Sequence, residues 1–142
     1  MYIRDILGAK GFDVIQINPE APVIELVGLL RKHNLGAVVV SPDGRTIAGI
    51  VSERDVIRRL ADGAEVLDQP VSEVMTSGVH CCSPGDTVHA VMSMMTERRI
   101  RHLPVVDAHD QLAGIVSIGD LVKWQISELE FERDQITRYV SG

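Results

Sequence analysis

The chain has 142 residues and a net charge of −6, enough for one compact domain and without any basic tail or run. That balance argues against general nucleic-acid binding, which depends on Lys and Arg neutralising phosphates. No apolar run approaches the roughly 18 residues of a membrane span, and Arg4 and Asp5 break any signal-like start. A soluble cytoplasmic protein with no membrane partner is expected, and the adjacent Cys81 and Cys82 offer no disulfide framework.

Residues 2–10 predict a short helix with Ile3, Ile6 and Leu7 on one side and Gly11 at its end. Val14 to Ile17 alternates like a strand, closed by Asn18-Pro19. From Val23 to His33, apolar residues at 23, 26, 27 and 30 predict a helix with one buried face, stopped at Asn34-Leu35-Gly36. Ala37 to Val40 and Ile47 to Val51 read as two strands joined by a turn at Pro42-Asp43-Gly44, and Glu53 to Leu60 as a second helix. Residues 64–77 form a linker holding Pro70 and Ser72. The cycle then restarts with a strand at Val79–Cys82, a helix from Thr87 to about Arg98, and strands at Leu103–Val106 and Leu112–Val116. The last helix runs from Asp120 to about Val140 without Pro or Gly. Its apolar side carries Trp124 beside residues such as Leu129 and Ile136, and Phe131 lies on the same helix. An aromatic-bearing face on so small a protein points to a dimer contact.

The restart is a duplication. Ala48 to Asp55 reads Ala-Gly-Ile-Val-Ser-Glu-Arg-Asp, and Ala113 to Asp120 reads Ala-Gly-Ile-Val-Ser-Ile-Gly-Asp; six of the eight positions are identical at an offset of 65. The same offset aligns Pro19 with Pro84, Val23 with Val88 and Val40 with Val105 without a gap. Two copies of one strand-helix-strand-strand-helix unit follow. A unit of about 60 residues buries only about 60% of its unfolded surface, so the halves are expected to share a core. The expected division is a first repeat with the N-terminal helix over 1–63, the linker, a second repeat over 78–124, and a helical extension over 125–142.

In each copy an apolar strand runs into a Ser-x-x-Asp helix start, Ser52 to Asp55 and Ser117 to Asp120. Such a start is a helix cap. The alternative reading is an anion site, with free backbone N–H groups and a favourable dipole, where a hydroxyl can reach phosphate and the Asp can accept from ribose hydroxyls. Matched positions have diverged around it: Gly36-Ala37-Val38-Val39 in the first copy stands against Arg101-His102-Leu103-Pro104 in the second. Arg favours phosphate through charge-assisted, often bidentate bonds. Cys81 and Cys82, adjacent on a strand, would point to opposite faces and make a poor metal pair.

Gly-Ile-Val-Ser-x-x-Asp in both copies, Arg-His-Leu-Pro-Val-Val at 101–106 and Val-Met-Thr at 74–76 resemble the cystathionine-β-synthase (CBS) domain, here as a tandem pair, a stand-alone Bateman module. The resemblance covers about Val14 to Lys123. It implies an α/β (α+β) fold of two pseudo-symmetric β-α-β-β-α repeats packed as one module about a pseudo-two-fold axis, with an extended C-terminal helix. It also implies two clefts for an adenosine nucleotide such as AMP, ADP or ATP. In one, Ser117, Asp120, Arg101, His102, Leu103 and Pro104 bind, with Val79 as an apolar wall. In the other, Ser52, Arg54 and Asp55 bind near Gly36 and Ala37, with Val14 as the wall. Val39 stands where the second copy has Pro104, so the Asp120 cleft is expected to be the better one. No catalytic constellation or required cofactor is visible. The resemblance implies a homodimeric nucleotide sensor acting on an unknown partner protein in trans. The alternatives are a structural dimerisation module without nucleotide and a small nucleotide-processing enzyme.

Overall fold

A computed structural model describes residues 1–141. The elements in order are α1 (Ile3–Lys10), β1 (Gln16–Ile17), α2 (Val23–His33), β2 (Ala37–Val40), β3 (Gly49–Ser52) and α3 (Glu53–Leu60), then α4 (Val88–Arg98), β4 (His102–Val106), β5 (Leu112–Ser117) and α5 (Ile118–Ser141). The linker contains two short 3-10 turns, Ala64–Asp68 and Val71–Glu73. β1 pairs parallel with β2, which pairs antiparallel with β3; β4 and β5 form a separate antiparallel pair.

Both α2 and α4 end on a left-handed residue, Asn34 and Arg99, one offset of 65 apart. In each case its N–H returns to the helix's last turn, a cap that satisfies carbonyls otherwise left orphaned. β2 is buried along its whole length, as its run of Val requires, whereas β3 and β5 alternate toward their ends.

The expected strand at Val79–Cys82 does not form. Cys82 alone bridges Val105, donating from its N–H to the Pro104 carbonyl while its own carbonyl accepts from Val106 N–H. To extend that parallel ladder backwards, residue 104 would have to donate an N–H to residue 80, and proline has none. At the matched position the first copy has Val39, and there the ladder continues to Gln16. The first strand is likewise shorter than expected, since Val14 and Ile15 lie outside β1.

Each repeat has its own apolar core, and the chain crosses between them. α1, grouped with the first repeat by chain order, contributes Ile3, Ile6 and Leu7 to the second repeat's core, alongside Met95, Leu103 and Leu121. Backbone bonds from Ile3 N–H to Asp86 O and from Val88 N–H to Met1 O fix it there. The linker does the converse, placing Val66, Val71 and Val74 in the first repeat's core. α5 packs its first turns on the second repeat through Leu121 and Trp124. From Gln125 onward its described side chains are exposed, so the helix projects from the module instead of folding over it, and Trp124 belongs to the module's packing.

Close packing leaves no room at Gly49, where a Cβ would meet Met75 Sδ at 2.6 Å and the Thr76 carbonyl oxygen at 2.7 Å. Gly28, inside α2, has nothing within 4 Å of a built Cβ. Gly49→Ala should therefore lower stability by about 1–3 kcal/mol in urea titrations. Gly28→Ala should raise it by about 0.5–1 kcal/mol, since glycine inside a helix is entropically costly.

Candidate functional site

Between the repeats lies a cleft of about 360 Å³. Its first wall comes from the first repeat: Gly36 and Ala37 at the start of β2, Ile50 on β3, and Ser52, Glu53, Arg54 and Asp55 at the β3–α3 junction. The opposite wall comes from the linker's end and the second repeat: Thr76, Gly78, Val79 and His80, then Arg99, Ile100, Arg101 and His102.

The Ser52–Asp55 junction carries both features that its spacing predicts. Asp55 N–H donates to Ser52 Oγ at 3.2 Å, and Ser52 N–H and Oγ donate to Asp55 Oδ2 at 2.9 and 3.0 Å. This is a complete capping box. Both bonds to the carboxylate, one from backbone N–H and one from Oγ, converge on Oδ2, so Oδ1 is available to accept from a ligand hydroxyl. The Ser117–Asp120 junction repeats the cap, with Ser117 N–H to Asp120 Oδ2 at 2.9 Å and Asp120 N–H to Ser117 Oγ at 3.1 Å. There a third donor joins: Lys10 Nζ reaches Asp120 Oδ2 at 2.7 Å. Burial opposes ionisation of Asp120, but the Lys10 ammonium and the Ser117 donors outweigh it and hold the carboxyl below its ordinary value.

The grouping of the expected residues differs from that read off the sequence. Val79, Arg101 and His102 lie on the wall facing Ser52, Arg54 and Asp55, so this cleft mixes the two copies. Gly36 and His102 are in close contact across it; a Cβ on Gly36 would meet His102 Cε1 at 3.2 Å. Leu103 is not on the wall, because strand alternation turns it into the second repeat's core. Pro104 is buried, with its carbonyl occupied by Cys82 N–H. Val14, half-buried, is not part of this cleft.

Ile50, Glu53, Thr76, Gly78, His80, Arg99 and Ile100 complete the lining and were not singled out from sequence. The signal for Arg99 was present in the offset, which aligns it with the helix-stopping Asn34. His80 Nε2 lies 3.2 Å from Arg98 Nη1. The cleft therefore gathers the guanidinium-bearing Arg54, Arg99 and Arg101 beside the apolar Val79, Ile50 and Ile100, an arrangement suited to an anionic ligand with a flat apolar part. Burial raises both thiols, Cys82 to about 12, so neither is poised as a thiolate. Among the described residues no cluster of His, Cys, Asp and Glu suits a metal ion, and no helix is long and apolar enough to cross a membrane.

Comparison with known proteins matches the CBS domain family model twice, over residues 3–62 and 71–127. The chain belongs to the CBS-domain family, as a tandem pair. It is 31% identical to the mitochondrial CBS domain-containing protein CBSX3 of Arabidopsis thaliana, over 99% of this chain and 72% of that one. A crystal structure of a CBS-domain protein from Agrobacterium tumefaciens superimposes with a TM-score of 0.84 at 40% identity, covering 88% of this chain and 99% of that chain. A CBS domain protein from Pyrobaculum aerophilum, solved in complex with AMP, superimposes with a TM-score of 0.75 at 27% identity, covering 84% and 89%. The CBS pair accounts for the observed α/β fold with its long C-terminal helix.

At the heart of the pair, His102 feels the charges of both junctions. Burial is the main influence and pushes its imidazole below the ordinary value of 6.5; Asp120 and Glu53 pull it up, Lys10 and Arg101 push it down. A group whose folded value is depressed contributes stability that is present above its ordinary value and lost as pH falls. Unfolding free energy should therefore drop as pH falls below 6.5, and His102→Gln should flatten that part of the profile while leaving the acid limb of Asp120 below 3.8. Urea midpoints across the acid range up to pH 8 read both limbs.

Proposed function

We propose that this CBS pair is a regulatory module that binds an adenosine nucleotide of the AMP, ADP or ATP type in the Ser52–Asp55 cleft and does no chemistry on it. The observation that carries the reading is the composition of that cleft: three arginines, a carboxylate with one uncommitted oxygen, and an apolar wall, all converging on one space of about 360 Å³. The phosphates would meet Arg54, Arg99 and Arg101. The ribose hydroxyls would donate to Asp55, and the base would lie against Val79 and Ile100. The AMP complex of the Pyrobaculum relative supports the adenosine class. Binding would act by differential affinity for two packings of the repeats, sensed by a partner protein in trans. A small nucleotide-processing enzyme would need an activated nucleophile or a metal cluster, and none of the cleft residues supplies either.

Thermal unfolding against AMP, ADP, ATP and S-adenosylmethionine tests this. A nucleotide at 100 times its dissociation constant should add about 2.7 kcal/mol of stability. The ligand-dependent shift should vanish in Arg101→Ala and fall sharply in Asp55→Asn, which retains a capping oxygen. No shift with any of the nucleotides would remove this function.

The second partner proposed is another copy of the chain, held through α5. Val122, Ile126, Leu129, Ile136 and Val140 are all exposed and recur at steps of four and three, with Arg133 in the remaining seam position. That is the heptad spacing of paired helices, with one polar register residue. Light scattering should give twice the chain mass of 15.6 kDa, and Leu129→Glu should halve it; a monomeric wild type would exclude the pairing.

A further inference from the structure

The two junctions carry the same motif, but the chain's own lysine reaches the second. Carried across the offset of 65, Ile50, Ser52 and Asp55 of the open cleft become Ile115, Ser117 and Asp120. Against these three the chain lays its own ammonium: Lys10 Nζ donates to Asp120 Oδ2 at 2.7 Å and to the Ile115 carbonyl at 3.0 Å. Lys10 is the last residue of α1, which is anchored by Ile3, Ile6 and Leu7 in the second repeat's core and pressed so closely on β5 that a Cβ on Gly114 would meet Leu7 Cδ2 at 2.8 Å. The position matched to Lys10 across the offset is Met75 in the linker, which is uncharged and lies against Gly49.

We propose that Lys10 is an internal occupant of the second cleft and that it sets the stoichiometry: a nucleotide enters at Ser52–Asp55 alone, and the Ser117–Asp120 cleft opens only when Lys10 is removed. The inference rests on the nucleotide reading for its ligand, and on geometry alone for the contact. Ribose hydroxyls bring neutral donors to the carboxylate, whereas Lys10 brings a cationic one, so both partners of its bond are charged. The ligand must also give up translational freedom, while Lys10 is tethered a few ångströms from its acceptor at high effective concentration. The second copy has in addition Gly119 where the first has Arg54, so a phosphate entering there finds one guanidinium fewer. Substitution of one residue outside both repeated motifs thus decides between one site and two.

Two measurements test it. Without nucleotide, acetylation by an N-hydroxysuccinimide ester followed by peptide mass spectrometry compares Lys10, exposed but ion-paired, with Lys32 and Lys123, the other two lysines, also exposed. Lys10 should react at least several-fold more slowly than either, and Asp120→Asn should bring it to their rate; equal rates in the wild type would overturn the proposal. With AMP, calorimetric titration should give one equivalent for the wild type, two for Lys10→Met, and one again for Lys10→Met with Asp120→Ala. Two equivalents in the wild type, or no gain in Lys10→Met, would overturn it. Absence of AMP binding in every variant would refute the nucleotide function and the stoichiometry with it, while the acetylation rates would still decide whether Lys10 holds Asp120.

Discussion

The burial of Ile3, Ile6 and Leu7 against the second repeat is the constraint on which the rest depends. Each such side chain contributes about 1.5–3 kcal/mol when removed from water. Together they bring the beginning of the chain onto the half encoded last. The linker makes the reciprocal crossing through Val66, Val71 and Val74. Neither repeat owns all of its core, so the halves are held at a fixed distance and the space between them survives as a cleft instead of collapsing. The same crossing delivers Lys10 to Asp120 and the segment Thr76–His80 to Asp55.

Within the cleft, structural chemistry and the proposed ligand chemistry would share residues without competing for atoms. Ser52 and Asp55 close the first turn of α3 with Oγ and Oδ2, and the second carboxylate oxygen is surplus to that role. A recognition group held by a cap is already immobilised, so ordering it on binding costs little. The arginines differ in how they are held: Arg54 sits one residue before Asp55 on α3, whereas Arg99 is fixed by its own left-handed backbone at the end of α4.

Much of this was legible in the order of residues. The offset of 65 located both capping junctions, the four helices of the repeats and the two hairpins, and α1 was read from its own apolar spacing, because apolar periodicity and Ser-x-x-Asp spacing act locally. What was not legible is how the copies face each other. Periodicity describes each unit alone, and the family resemblance was carried over copy by copy, so it grouped Arg101, His102 and Val79 with Asp120 of the same copy, while the packing sets them across from Asp55. It could not reveal that Lys10, outside both motifs, would reach Asp120 from 110 residues away. Leu103 and Pro104 were carried along with a motif whose inward face belongs to the core. The lost strand had a local cause in full view, since the proline that marks the motif also withholds the N–H that the ladder needs.

That missing donor has a mechanical consequence. The wall of the cleft formed by Ser52–Asp55 is stiff, backed by a three-stranded sheet and a capped helix. The facing wall at Gly78–His80 hangs between the Thr76 bridge to Ile50 and the single Cys82 bridge to Val105, with no ladder between them. Backbone without ladder bonds yields at low energy. The cleft is thus a jaw with one compliant side, and the compliance lies where the base of the proposed nucleotide would rest: ribose would meet a preset surface, while the base would meet one that adjusts to its shape.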